Sequence, residues 1–96
     1  MNLVTNEKLK KYFSVTKEAL DMAKKSGNRL KMEKERADFI DMIERYVSDA
    51  EHFEQQKDLV NAFAALNYAH GWLDAGARIG LFDVHNSRLF TVDDQL

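Results

Sequence analysis

The fold is decided by one stretch, Asp58-Leu-Val-Asn-Ala-Phe-Ala-Ala-Leu-Asn-Tyr-Ala-His-Gly-Trp-Leu-Asp-Ala-Gly-Ala-Arg-Ile-Gly80-Leu81. Leu59, Ala62, Phe63, Leu66, Ala69, Leu73 and Ala77 recur three and four apart, with Gly76 and Ile79 adjoining. That spacing places apolar groups on one side of an α-helix. Asp58 is the type of residue that caps a first turn through its carboxylate. Gly80 followed by Leu81 matches a Schellman ending, with glycine in the left-handed region and an apolar residue folding back on the last turn. Ala62, Ala64, Ala65, Ala69, Gly71, Ala75, Gly76 and Ala77 make this helix unusually small in girth. Each internal glycine costs about 0.8–1 kcal/mol relative to alanine. Close packing, within the chain or on a partner, is expected to offset that cost.

Two further amphipathic stripes precede it. The first is Leu9, Tyr12, Phe13, Thr16 through its methyl group, Ala19, Leu20 and Ala23. Thr5 is placed to cap it, Glu7 and Lys24/Lys25 suit its dipole, and Ser26-Gly27-Asn28 reads as its stop with Gly27 left-handed. The charged run Arg29–Arg36 leads into a second stripe of Phe39, Ile40, Ile43, Tyr46, Val47, Ala50 and Phe53, starting between Leu30 and Lys34. Only Gln55–Asp58 separates it from the deciding stretch, so the two helices are antiparallel neighbours. The expected fold is all-α: an antiparallel three-helix bundle over about 5–25, 31–56 and 58–79, with an extended C-terminal tail. Residues 1–84 read as one bundle domain. Residues 85–96 read as a tail, packed on the bundle through Leu89 and Phe90 with Phe82, or partly disordered. Arg88–Val92 has strand propensity but no sheet to join.

Composition agrees. The chain has 96 residues with no proline and no cysteine. Absent proline suits long helices. Absent cysteine excludes disulfide scaffolds and thiolate zinc sites. No apolar run approaches the about 18 residues of a membrane span, and the first residues lack the apolar core of a signal peptide. A cytoplasmic protein without a cofactor is expected. The net charge of −2 hides an asymmetry: residues 1–36 carry +5 and residues 37–96 carry −7.

The run Tyr68-Ala-His-Gly-Trp-Leu-Asp-Ala-Gly76, with Ala65-Leu66 before it and Gly80-Leu81 after it, resembles the signature of a small archaeal family of uncharacterised proteins, domain of unknown function 357. Tyr46, Asp49-Ala50 and Phe53 are similar too, as is the ending Leu89-Phe90-Thr91-Val92-Asp93. The resemblance implies a three-helix bundle of archaeal origin with no assigned activity, and supplies no catalytic residue. This chain has Lys57-Asp58-Leu59 where the family commonly has a Gly-Asp-Tyr type of turn.

Several constellations are candidates for function. Asn67, His70, Asp74 and Arg78 follow one another at three and four residues, flanked by Tyr68 and Trp72. These six form the candidate ligand or partner face, because tyrosine and tryptophan bury area while keeping a polar tip. An Asp four residues from a His could orient the imidazole for proton transfer; the simpler reading is a solvated ladder. Asp49-x-x-His52 has di-iron spacing, but helix three offers only Asn67-x-x-His70, so no metal is expected. Arg78 and His85 loosely resemble the Arg–His pair of nucleases in the HEPN superfamily, although Gly80 should end the helix between them. Lys8, Lys10, Lys11, Lys17, Lys24 and Lys25 form a basic face, open to a nucleic acid or simply complementary to the acidic helices. No nucleophile elbow, phosphate loop or dinucleotide fingerprint is present. The expected function is therefore a non-enzymatic protein-interaction or assembly module using helix three and the tail, by self-association or with a protein partner. The alternatives are a ligand-binding or enzymatic protein using His70, Asp74 and Arg78, and a weak nucleic-acid binder using the first helix.

Overall fold

The computed structural model describes residues 4–27 and 31–90. It is a three-helix bundle: α1 (Asn6–Lys25), α2 (Glu33–Gln55) and α3 (Leu59–Ile79). Among the described residues there is no strand. Cross-helix pairs fix the directions. Lys24 meets Glu44 and Lys17 meets Glu51, so α1 and α2 run antiparallel. Phe39 meets Trp72 and Tyr46 meets Tyr68, so α2 and α3 do too.

The helix ends follow local chemistry. Thr5 Oγ1 accepts from the Lys8 amide at 3.1 Å, and Asp58 Oδ1 accepts from the Asn61 amide at 3.2 Å. Gly80 lies at φ 88°, with Leu81 N–H donating to Gly76 O at 2.8 Å and Gly80 N–H to Ala77 O at 3.3 Å. Those are the two bonds of a Schellman motif. The end of α1 differs from expectation. Gly27 does not take the left-handed conformation; Ser26 caps the helix instead, its hydroxyl donating to Ala23 O at 2.8 Å. A side chain that reaches back to a free carbonyl removes the need for a left-handed residue. Met32 precedes α2 without a side-chain cap. Leu30, at one edge of the expected start, lies outside the described residues.

The core forms two clusters along the bundle. Leu9, Phe13, Ala50, Ala62, Ala65 and Leu66 fill one end. Ala19, Ala23, Ile43, Val47, Ala69, Leu73 and Ala77 fill the other, closed by Leu81, Phe82, Val84, Leu89 and Phe90 from the segment after α3. That segment is extended only as far as Asn86. A turn then follows, in which Asn86 Oδ1 accepts from the Arg88 amide at 3.0 Å and Asn86 O from Phe90 N–H at 2.9 Å. The strand-prone reading of Arg88–Phe90 is thus replaced by a turn, because the side chain of Asn86 offers the backbone a local partner. Thr91 and Val92 lie outside the described residues.

Gly76 explains how the segment closes the core. A Cβ there would overlap the edge of the Phe82 ring. The ring rests directly on the backbone of α3, and Phe82 is fully buried. Gly71 is different: a Cβ there would meet nothing within 4 Å. Helix three thus has one glycine filled from inside the chain and one left open.

Candidate functional site

The open glycine lies on an exposed face. Val60, Ala64, Asn67, Tyr68, Gly71, Ala75, Arg78 and Ile79 are all exposed on α3. Successive turns keep them within an arc of about 120° at 100° per residue. Val60 is 67% exposed, Tyr68 63% and Ile79 50%, and they are the exposed large apolar residues among those described. Ile79, read from its spacing as adjoining the core stripe, belongs to this outer face: the stripe turns away from it as the helix ends.

The six residues of the candidate face divide between surface and interior. Asn67, Tyr68 and Arg78 are exposed, while His70, Trp72 and Asp74 are half-buried. Trp72 packs edge-on against Phe39, ring centres 4.7 Å apart, at the seam with α2. Tyr68 stacks on Tyr46 at 5.4 Å with 18° between the planes, which steadies its ring while leaving most of it in solvent.

His70 sits beneath the C-terminal turn. Its Nε2 lies 2.6 Å from Leu89 O. A carbonyl can only accept, so Nε2 carries the proton and donates. In the neutral ring Nδ1 then accepts from the hydroxyl of fully buried Thr16, at a long 3.5 Å. Asp74 Oδ1 is 3.9 Å from Nε2. The ring therefore joins α1, α3 and the segment after α3. An open cleft of about 820 Å³ lies elsewhere, walled by Glu18, Asp21, Met22, Lys25, Asp83 and His85 among others. His70, Asp74 and Arg78 do not line it.

The other candidates are dispersed. Lys17 and Lys24 pair with Glu51 and Glu44 of α2, each at 3.5 Å, and Lys25 pairs with Asp21 at 2.9 Å. Lys8 lies over the Phe63 ring at 5.8 Å. Lys10 and Lys11 are exposed. The basic helix thus spends much of its charge on its own bundle. His52 is exposed, its ring near Phe53. His85 Nε2 is 2.9 Å from Asp83 Oδ1, beyond the Gly80 turn that ends the helix bearing Arg78. Among the described residues no group of three or more His, Cys, Asp or Glu could hold a metal ion.

Arg36 was not legible as a special residue. It stands in a charged run that reads as solvated, yet it is half-buried. Its Nη2 donates to Ala23 O at 2.8 Å and Lys24 O at 3.1 Å. Its Nη1 donates to Leu81 O at 3.0 Å, Ser26 Oγ at 3.2 Å and Gly27 O at 3.4 Å. The guanidinium lies 5.5 Å from the centre of the Phe82 ring. One planar cation thus satisfies carbonyls at the end of α1 and in the turn after α3 together.

A protein-family model described as protein of unknown function (DUF357) matches residues 11–82. The chain belongs to this family. The DUF357 match spans most of α1, all of α2 and α3, and ends at Phe82, the ring seated on Gly76. No curated protein and no solved structure matches the chain. Among the described residues no helix is long and apolar enough to cross a membrane.

Proposed function

We propose that this DUF357 chain is a non-enzymatic docking module whose working surface is the outer face of α3. The observation that carries this reading is the gathering of Val60, Tyr68 and Ile79 on one helix face with Gly71 open between them. Exposed apolar groups scattered singly need no explanation; these three share one helix face, with exposed Ala64, Gly71 and Ala75 between them. Gly71 adds to this, since its cost in a helix has no return within the chain. The described part of the C-terminal segment serves the fold. Leu89 and Phe90 are buried in the chain's own core, so these two side chains are not part of the docking surface; the rest of the expected tail, from Thr91, lies outside the described residues. His70 supports the non-enzymatic part of the reading, because both ring nitrogens are engaged in holding the bundle together.

The test is affinity capture from extract of the protein's own cells. The wild-type chain and Tyr68→Glu serve as baits, and a differently tagged copy of the chain is included. A partner recovered by wild type and lost with Tyr68→Glu is the expected result. Equal recovery by both baits, with helicity unchanged, contradicts the reading.

A further inference from the structure

Helix α2 carries carboxylates on both flanks, and the chain answers only one of them. Towards α1, Glu44 and Glu51 meet Lys24 and Lys17, each at 3.5 Å. Towards α3, Phe39 and Tyr46 make the ring contacts with Trp72 and Tyr68. Glu35, Met42 and Asp49 follow at seven-residue intervals just outside those rings, within an arc of about 40° at 100° per residue. Asp38, one turn on from Glu35, extends the same edge. Met42 is half-buried, while Glu35, Asp38 and Asp49 are exposed. Among the described residues no basic side chain pairs with any of the three acids. Arg45, on the same helix, is committed to Asp41 at 3.0 Å. Helix α3 has little to offer: Arg78, exposed in the last turn, is its one lysine or arginine. The seam between α2 and α3 is thus an apolar strip, with Tyr68 standing out of it, bordered by carboxylates that lack a counter-charge.

We propose that the partner docking here is a basic amphipathic helix of another protein, its apolar side on Met42, Tyr68 and Trp72 and its lysines or arginines on Glu35, Asp38 and Asp49. The proposal rests on the docking reading above and adds the chemistry of the partner. Charge complementarity is what names it. Helix α1 shows the same pattern within the chain, with an apolar stripe turned inward and lysines over the carboxylates of α2. The opposite flank of α2 has the carboxylates and no such helix. A second copy does not meet the requirement, because the apolar stripe of its basic helix is buried in its own core. Exposed ion pairs add little affinity each. The apolar strip therefore supplies most of the binding, and the acidic edge selects the sign of the partner's charge and speeds the encounter.

Trp72 is the chain's one tryptophan, and it lies at the seam, so its fluorescence reports occupancy. The probes are two synthetic amphipathic helical peptides of about 20 residues, free of tryptophan. They share a leucine stripe; one has lysine and arginine on its polar side, the other glutamate. The basic peptide is expected to shift the Trp72 emission and the acidic one to leave it unchanged. Glu35→Gln/Asp38→Asn/Asp49→Asn is expected to weaken the basic peptide about tenfold at low salt, the sum of three exposed pairs. Glu7→Gln/Asp21→Asn/Glu33→Gln removes as much charge elsewhere and is expected to change it less than about twofold, since distant charges are screened. Equal losses in the two triple variants, or a basic peptide bound no tighter than the acidic one, overturn the proposal. The docking reading falls separately. An acidic peptide that binds and is lost with Tyr68→Glu keeps the face and changes its partner, whereas a Tyr68→Glu chain that binds a peptide as well as the wild type does removes the docking role itself.

Discussion

At the scale of single residues, the molecule depends on side chains whose roles follow from where carbonyls and backbone angles fall. Arg36 reaches five acceptors on two segments that are distant in sequence. A lysine keeps the charge but lacks the planar fork that spans them. Arg36→Lys is expected to destabilise the fold by about 2 kcal/mol, the scale of lost charged hydrogen bonds, measured by urea denaturation. Loss of less than a few tenths would show the contacts to be incidental. Lys57, in the turn before α3, has φ 62°, where a side chain costs about 1–2 kcal/mol. Lys57→Gly is expected to raise stability by about 0.5–1 kcal/mol after the entropy of the freer unfolded chain is counted. Neither role could be read from the sequence: Arg36 looks like any solvated charge, and no periodicity reports a dihedral angle.

At the scale of elements, the stripes at three- and four-residue spacing placed all three helices, with Thr5, Asp58 and Gly80 at their ends. The stripes carry that information because helix faces are set by local geometry alone. Contacts between segments are not local, and spacing along one helix does not report them. His70 and Asp74 share a helix side with Asn67 and Arg78, yet the C-terminal turn folds over the first pair and leaves the second in solvent. The two glycines of α3 look alike in sequence and separate only in the fold. Gly76→Ala would force Phe82 off the helix and is expected to cost about 1–3 kcal/mol, as overpacking does. Gly71→Ala meets nothing and is expected to add about 0.8–1 kcal/mol of helix stability. Thermal unfolding checks both. Shifts of the same sign for the two variants would contradict the placement of Phe82.

At the scale of the whole molecule, the near-neutral charge resolves into a basic first helix facing an acidic second one. Lys17–Glu51 and Lys24–Glu44 are exposed pairs, worth no more than about 1 kcal/mol each. Their weight lies in fixing which helices are neighbours. The apolar surface tells the opposite story, since burial at one side of α3 is matched by exposure at the other. The direct test of what that exposure is for is partner capture, a second tagged copy of the chain included, by the wild-type chain and by Tyr68→Glu. The wild-type chain is expected to retain a partner that Tyr68→Glu, equally helical, loses. Equal recovery of every partner by the two chains would contradict the docking role of helix three.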